Sequence, residues 1–233
     1  MDLLLTSAGI RNPSIEAALV DLLGKPIEES TALFVPAGIY PFPGGAFNAV
    51  EAMRGGRNRL CDLNWKSLGL LELSALPTIK RDSWVPTVKE TDALLVWGGN
   101  VLYLYYWMKK SGLADLFSEL NNLVYVGVSA GSIVMTPFNC DVDFNRQWVP
   151  EGSDIPLDDP RGLGVIDSCL WVHVGNPDPI FEDHNLANVE RWAGTVDVPV
   201  YALDDESALK VRGGKIDVVS EGNWEVFGQR RSN

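Results

Sequence analysis

The chain has 233 residues, 46% of them hydrophobic and 21% charged, enough for one large domain with a sizeable core and too apolar for a disordered segment. With 19 Lys and Arg against 31 Asp and Glu, the formal net charge is −12, a field that repels nucleic acid and gives no long-range attraction to anionic substrates. Cys61, Cys140 and Cys169 are scattered without a C-x-x-C pair, and the two histidines have no metal-ligand spacing, so a reducing compartment is expected and a protein-bound zinc is not.

In chain order, residues 2–7 read as an apolar strand ending near a glycine, and residues 13–23 as a helix with Pro13 in its first turn. Residues 31–36 form a second predicted strand, followed by a Pro/Gly loop and a helix from about Ala46. The three arginines of residues 54–59 read as a solvated loop. Strands are expected at 65–73 and 92–97, the latter stopping at Gly98-Gly99-Asn100, with helical patterns at 101–110 and 114–120. The run Leu123-Val-Tyr-Val-Gly-Val128 is a further strand. After a polar loop at 145–161 come a strand at 168–174, a helix at 185–192 and a strand at 198–203. Residues 208–211, 215–219 and 224–227 read as hairpin strands closing an edge. This alternation predicts an α/β fold: a doubly wound, mostly parallel sheet with flanking helices and a C-terminal antiparallel hairpin, in one domain spanning 1–233. The N-terminus lacks a signal-peptide pattern and no apolar run reaches membrane-spanning length, so a cytoplasmic protein without a membrane partner is expected.

Chemistry enters at Gly127-Val-Ser129-Ala-Gly131, between a strand and an amphipathic stretch. A serine on a tight strand-to-helix turn is the nucleophile-elbow arrangement, which lifts the hydroxyl off the sheet and aims the N–H of Ala130 at a developing oxyanion. The plainer account is a glycine-rich turn whose serine caps a helix. A nucleophilic serine needs a base and a group to orient it. His173 follows the apolar run 169–172 and so lies near the C-terminal end of a strand, where open α/β sheets bind ligands. His184, in a polar stretch opening a helix, is the less favoured base. Asp204, Asp205 and Glu206 follow the strand at 198–203 and are the candidate acids, the alternative being an acidic turn.

Together, Gly98-Gly99-Asn100, Gly127-Val-Ser-Ala-Gly131, His173 and Leu203-Asp-Asp-Glu-Ser-Ala208 resemble the peptidase E family of serine dipeptidases, which includes cyanophycinase, over nearly the whole chain. The resemblance implies a class I glutamine amidotransferase-like fold and hydrolysis of short peptides through an acyl-enzyme, without cofactor or metal. It implies Ser129 as nucleophile, His173 as base, Gly99 and Ala130 as the oxyanion hole, and Asp205 as triad acid with Glu206 the alternative. Asn100 and Arg191 are candidate substrate-binding residues. Where the aspartyl-specific branch carries an arginine, this chain has His184, with Arg191 two helical turns on, so aspartyl specificity is in question. The expected partner is a short peptide substrate, and a homodimer is the one assembly entertained. Two other readings remain open: an α/β-hydrolase-type esterase, which would need an acid between serine and histidine such as Asp158, Asp159 or Asp167, and a silent amidotransferase-like binding module.

Overall fold

Apolar runs of four or five residues, buried on both faces, become the central strands, as parallel sheets covered on two sides require. The computed structural model describes residues 1–56, 58–140 and 142–228, so Arg57, in the predicted 54–59 loop, lies outside the described residues. The strands are β1 (Asp2–Thr6), β2 (Thr31–Val35), β3 (Ser67–Leu70), β4 (Ala93–Val96), β5 (Val124–Val128), β6 (Cys169–Trp171), β7 (Val200–Leu203), β8 (Ser207–Arg212), β9 (Lys215–Ser220) and β10 (Trp224–Phe227). The helices are α1 (Pro13–Leu23), α2 (Gly45–Arg54), α3 (Val85–Glu90), α4 (Val101–Lys110), α5 (Ala130–Ile133), α6 (Val142–Arg146) and α7 (Leu186–Ala193), with the predicted helix at 114–120 wound as a 3₁₀ segment, Ala114–Glu119.

A seven-stranded sheet runs β3-β2-β4-β5-β1-β8-β9, parallel from β3 to β1, with β8 and β9 antiparallel. Alternation along each strand sorts the core. Leu3, Leu5, Leu94, Val96 and Tyr125 face one side, with Leu104 and Met108 of α4 and Ile133 of α5. Leu4, Phe34, Leu95, Val126 and Val128 face the other, with Ile15, Leu19 and Leu22 of α1. Neighbouring strands β1 and β5 therefore send their following helices to opposite faces. That divergence opens a crevice beyond their carboxyl ends, the usual ligand position in such sheets.

The expected mostly parallel sheet with flanking helices and a C-terminal antiparallel hairpin is present, but three of the expected strands lie outside it. The hairpin β8–β9 occupies the free edge of β1, so β6, β7 and β10 do not join there. Instead β7 pairs in parallel with β6 and antiparallel with β10 in a separate three-stranded sheet, backed by Val189 and Ala193 of α7. Residues 224–227 thus serve this second sheet and not the edge of the first. The strand expected at 168–174 is also shorter, because the chain leaves extended geometry at His173, whose φ is 59°.

The elbow between β5 and α5 is built by close approach. A Cβ on Gly127 would come within 2.6 Å of the Gly131 carbonyl oxygen, and one on Gly131 within 2.2 Å of the Val96 carbonyl oxygen. The buried Tyr125 hydroxyl donates to the same Gly131 carbonyl at 2.6 Å, and burial raises its pKa well above that of an exposed phenol. Tyr125→Phe should therefore leave a buried carbonyl without its donor and cost about 1–3 kcal/mol, read as a lower urea midpoint at unchanged slope.

Candidate active site

Ser129 stands at the apex of the elbow with φ 52° and ψ −115°, a conformation that is strained for a side chain bearing Cβ and must be held by its surroundings. Its N–H donates to the carbonyls of Thr6 and Ser7, both at 3.1 Å, which ties the turn to the end of β1. Ser132 Oγ reinforces this by donating to the Thr6 carbonyl at 2.7 Å, and Thr6 Oγ1 donates to the Gly127 carbonyl at 2.7 Å. The serine hydroxyl is left in the crevice, half-buried.

The second sheet brings the imidazole and the carboxylate to it. Ser129 Oγ lies 2.9 Å from His173 Nε2, and His173 Nδ1 lies 2.6 Å from Asp205 Oδ1. The left-handed backbone at His173 turns its side chain from β6 toward β5, and Phe181 stacks on the ring with centroids 4.3 Å apart. Two further donors reach Asp205: Asn176 Nδ2 to Oδ2 at 2.5 Å and Ser7 Oγ to Oδ1 at 3.2 Å. Burial alone would raise the Asp205 pKa, but the hydrogen bond and charge of His173, followed by the Asn176 and Ser7 bonds, bring it below the ordinary carboxylate value. The carboxylate is ionised, and its contact with Nδ1 leaves Nε2 as the nitrogen facing the serine.

The three acids after β7 go three ways. Asp204 closes a turn, accepting from Ser207 Oγ at 2.6 Å and from the Glu206 N–H at 3.0 Å. Asp205 meets His173. Glu206 turns to the β1–α1 loop, where it accepts from Arg11 Nε at 3.3 Å and Asn12 Nδ2 at 3.2 Å, so it is not brought to the imidazole. His184 lies in the cleft wall, its Nδ1 donating to the Val172 carbonyl at 2.7 Å and its ring edge-on to Phe181. Asp158 and Asp159 pair with Arg146 and Arg161 on an exposed loop.

Gly99 and Ala130 both line the cleft with Ser129. Gly99 has φ 125°, and a Cβ there would come within 2.2 Å of the Gly38 carbonyl oxygen, so only glycine fits this turn. The two residues expected to bind substrate are placed elsewhere. Asn100 is fully buried as the N-cap of α4: its Oδ1 accepts from the Tyr103 N–H at 2.9 Å and its Nδ2 donates to the Asn145 carbonyl at 2.7 Å. Arg191 lies on the exposed face of α7 bonded to Asn188, because helical spacing turns it away from the buried Val189 and Ala193. Among the described residues, the arginine that lines the cleft is Arg11, from the loop after β1.

Sequence reasoning also missed Ser7 and Asn176. The signal available for Ser7 was its position directly after a central strand, and for Asn176 its place three residues after the histidine. Neither pattern has a period or motif of its own. Burial pushes the Cys61 thiol up to about 12 and the Cys169 thiol up to about 11, so neither is a competing nucleophile of low pKa. Among the described residues no group of three His, Cys, Asp or Glu is arranged to hold a metal ion, and no helix is long and apolar enough to cross a membrane.

With this geometry in view, the relatives are informative. An uncharacterized peptidase of Listeria monocytogenes is 23% identical over 154 residues, which is 65% of this chain and 72% of that protein. The 1.5 Å crystal structure of a candidate peptidase E protein from Listeria monocytogenes EGD-e superposes with a TM-score of 0.64 at 16% identity, covering 95% of this chain and 98% of that one. A peptidase from an acI-B1 Actinobacterium gives 0.65 at 18% identity, covering 97% and 91%. At these identities the structures share the fold. The family model for peptidase family S51 matches residues 3–219, nearly the whole chain, and the chain therefore belongs to peptidase family S51, the peptidase E family.

Proposed function

We propose that the protein is a serine peptidase that hydrolyses dipeptides or other short peptides through an acyl-enzyme on Ser129. The observation that carries this reading is the unbroken chain from Ser129 Oγ through His173 to Asp205, at 2.9 and 2.6 Å, opening on a cleft of about 760 Å³ at the sheet's switch point. Ser129 Oγ attacks the scissile carbonyl carbon as its proton passes to His173 Nε2. The oxyanion meets the N–H of Ala130, which as the first residue of α5 has no intrahelical acceptor, and that of Gly99. His173 then protonates the departing amine, and the C–N bond breaks. In the second half, His173 takes a proton from water, the hydroxide adds to the acyl carbon, and Ser129 leaves with the proton returned. Asp205, ionised throughout, fixes the imidazole tautomer and offsets the transient imidazolium.

The esterase and silent-module readings draw no support from this site. The carboxylate on His173 comes after it in the chain, opposite to the order of α/β-hydrolases, and serine and imidazole are already in hydrogen-bond contact.

Ser129→Ala should lower kcat on a dipeptide panel by several orders of magnitude, on the scale of about 10⁶ known for such nucleophiles; wild-type turnover in that variant would end the proposal. Asp205→Asn should cost about 10⁴ in kcat by favouring the wrong tautomer, whereas Glu206→Gln should stay within about tenfold, a contrast that steady-state kinetics on one substrate resolves. The pKa of Asp205 is depressed in the fold, so its stabilising contribution is complete above the ordinary aspartate value of about 3.9 and is lost as pH falls through the lower folded value. The stability gap between wild type and Asp205→Asn should therefore close on acidification through that window, as followed by denaturant melts at pH 2.5 to 6.

A further inference from the structure

The wall of the cleft beside the Gly99 turn is aromatic. Phe42 stacks on Phe144 with ring centroids 6.0 Å apart and packs against Trp148 at 5.4 Å, and all three line the cavity that holds Ser129. Phe42 comes from the loop before α2, Phe144 from α6 and Trp148 from the turn that follows it, and short polar contacts fasten both segments to the Gly99 turn. The Asn100 N–H donates to the Gly38 carbonyl at 2.7 Å, just ahead of Phe42. Asn145, next to Phe144, accepts from the Val101 N–H at 2.5 Å through Oδ1 and from Asn100 Nδ2 at 2.7 Å through its carbonyl. The aromatic wall is thus referenced to the Gly99 turn that faces the scissile carbonyl.

Among the described residues, the charges in the cleft are matched within the protein. Arg11 is paired with Glu206, Asp205 receives three donors, and the Nδ1 of His184 is given to a backbone carbonyl. No lysine lines the cavity among the described residues. A charged substrate side chain placed on the aromatic wall would lose water without gaining a counter-charge, whereas a large apolar one would gain by leaving water.

We propose that Phe42, Phe144 and Trp148 form the specificity subsite and that the substrates are short peptides with a large apolar residue, aromatic or branched aliphatic, next to the scissile bond. This rests on the serine-peptidase reading and names its substrate class.

The test is a dipeptide matrix in which Phe, Leu, Gly, Lys and Asp are each placed on either side of the bond against alanine, with kcat/KM measured alongside fluorophosphonate labelling of Ser129 in the wild-type protein. At one of the two positions Phe or Leu should exceed Gly, Lys and Asp by about 100-fold. In Phe42→Ala and, separately, Trp148→Ala, kcat/KM for that preferred residue should fall at least tenfold more than for Gly, mainly through KM. Phe42→Leu should recover most of the preference, a rescue that a merely structural role would not produce. Labelled enzyme that prefers Asp, Lys or Gly at both positions overturns the subsite and leaves the peptidase reading standing. An unchanged ranking in the folded variants also overturns it. Absence of both labelling and dipeptide cleavage removes the peptidase reading and the subsite with it.

Discussion

Ser7, at the carboxyl end of the central strand β1, is where the whole arrangement is joined. Its carbonyl accepts from the Ser129 N–H and its own N–H donates to the Ser207 carbonyl, each at 3.1 Å. Its hydroxyl accepts from the His173 N–H at 2.8 Å and donates to Asp205 at 3.2 Å. One buried residue thereby spans the elbow, His173 and Asp205, which come from two different sheets. A buried hydroxyl with both roles filled is stable where it is, and any displacement leaves several polar groups unpaired.

That junction explains how the molecule holds two strained backbones. Ser129 and His173 both have positive φ without being glycine, at about 1–3 kcal/mol each. Each is bonded to β1 through its N–H, Ser129 to the Thr6 and Ser7 carbonyls and His173 to the Ser7 hydroxyl. Their side chains are in hydrogen-bond contact with each other, so this strain and the bonds that offset it are concentrated around the serine–imidazole contact, whereas Asn64, the third non-glycine residue of positive φ among the described residues, is of a type that tolerates the left-handed region. Asp205 is fixed by a different device, the turn closed by Asp204, which leaves Asp205 against His173 and Glu206 toward Arg11.

Much of the frame was legible in the sequence because it depends on local pattern. Pro13–Leu23 and Val101–Lys110 match their predicted spans, since a proline in the first turn of the one and helical apolar spacing in both are local signals. The glycines of the elbow were legible for the same reason. The expectation that the late strands extend the main sheet was not met, because strand partners depend on which edges remain free, and β8 takes the edge of β1. Asn100 and Arg191 illustrate a similar limit: a polar residue near a motif reads the same whether it caps a helix, sits on an exposed face or reaches a ligand.

By itself the sequence determined the alternating α/β frame, the serine between its glycines, and the short set of histidines and acids from which a relay could be drawn. It could do so because strand period, helix capping and tight turns are set by neighbours a few residues apart. Only the tertiary structure decided which acid meets His173, that Arg11 and not Arg191 enters the cleft, and that Phe42, Phe144 and Trp148 form one wall. Those outcomes depend on contacts between segments far apart in the chain, such as Ser7 with Asp205 across 198 positions, and no local pattern encodes the direction in which a side chain will find its partner.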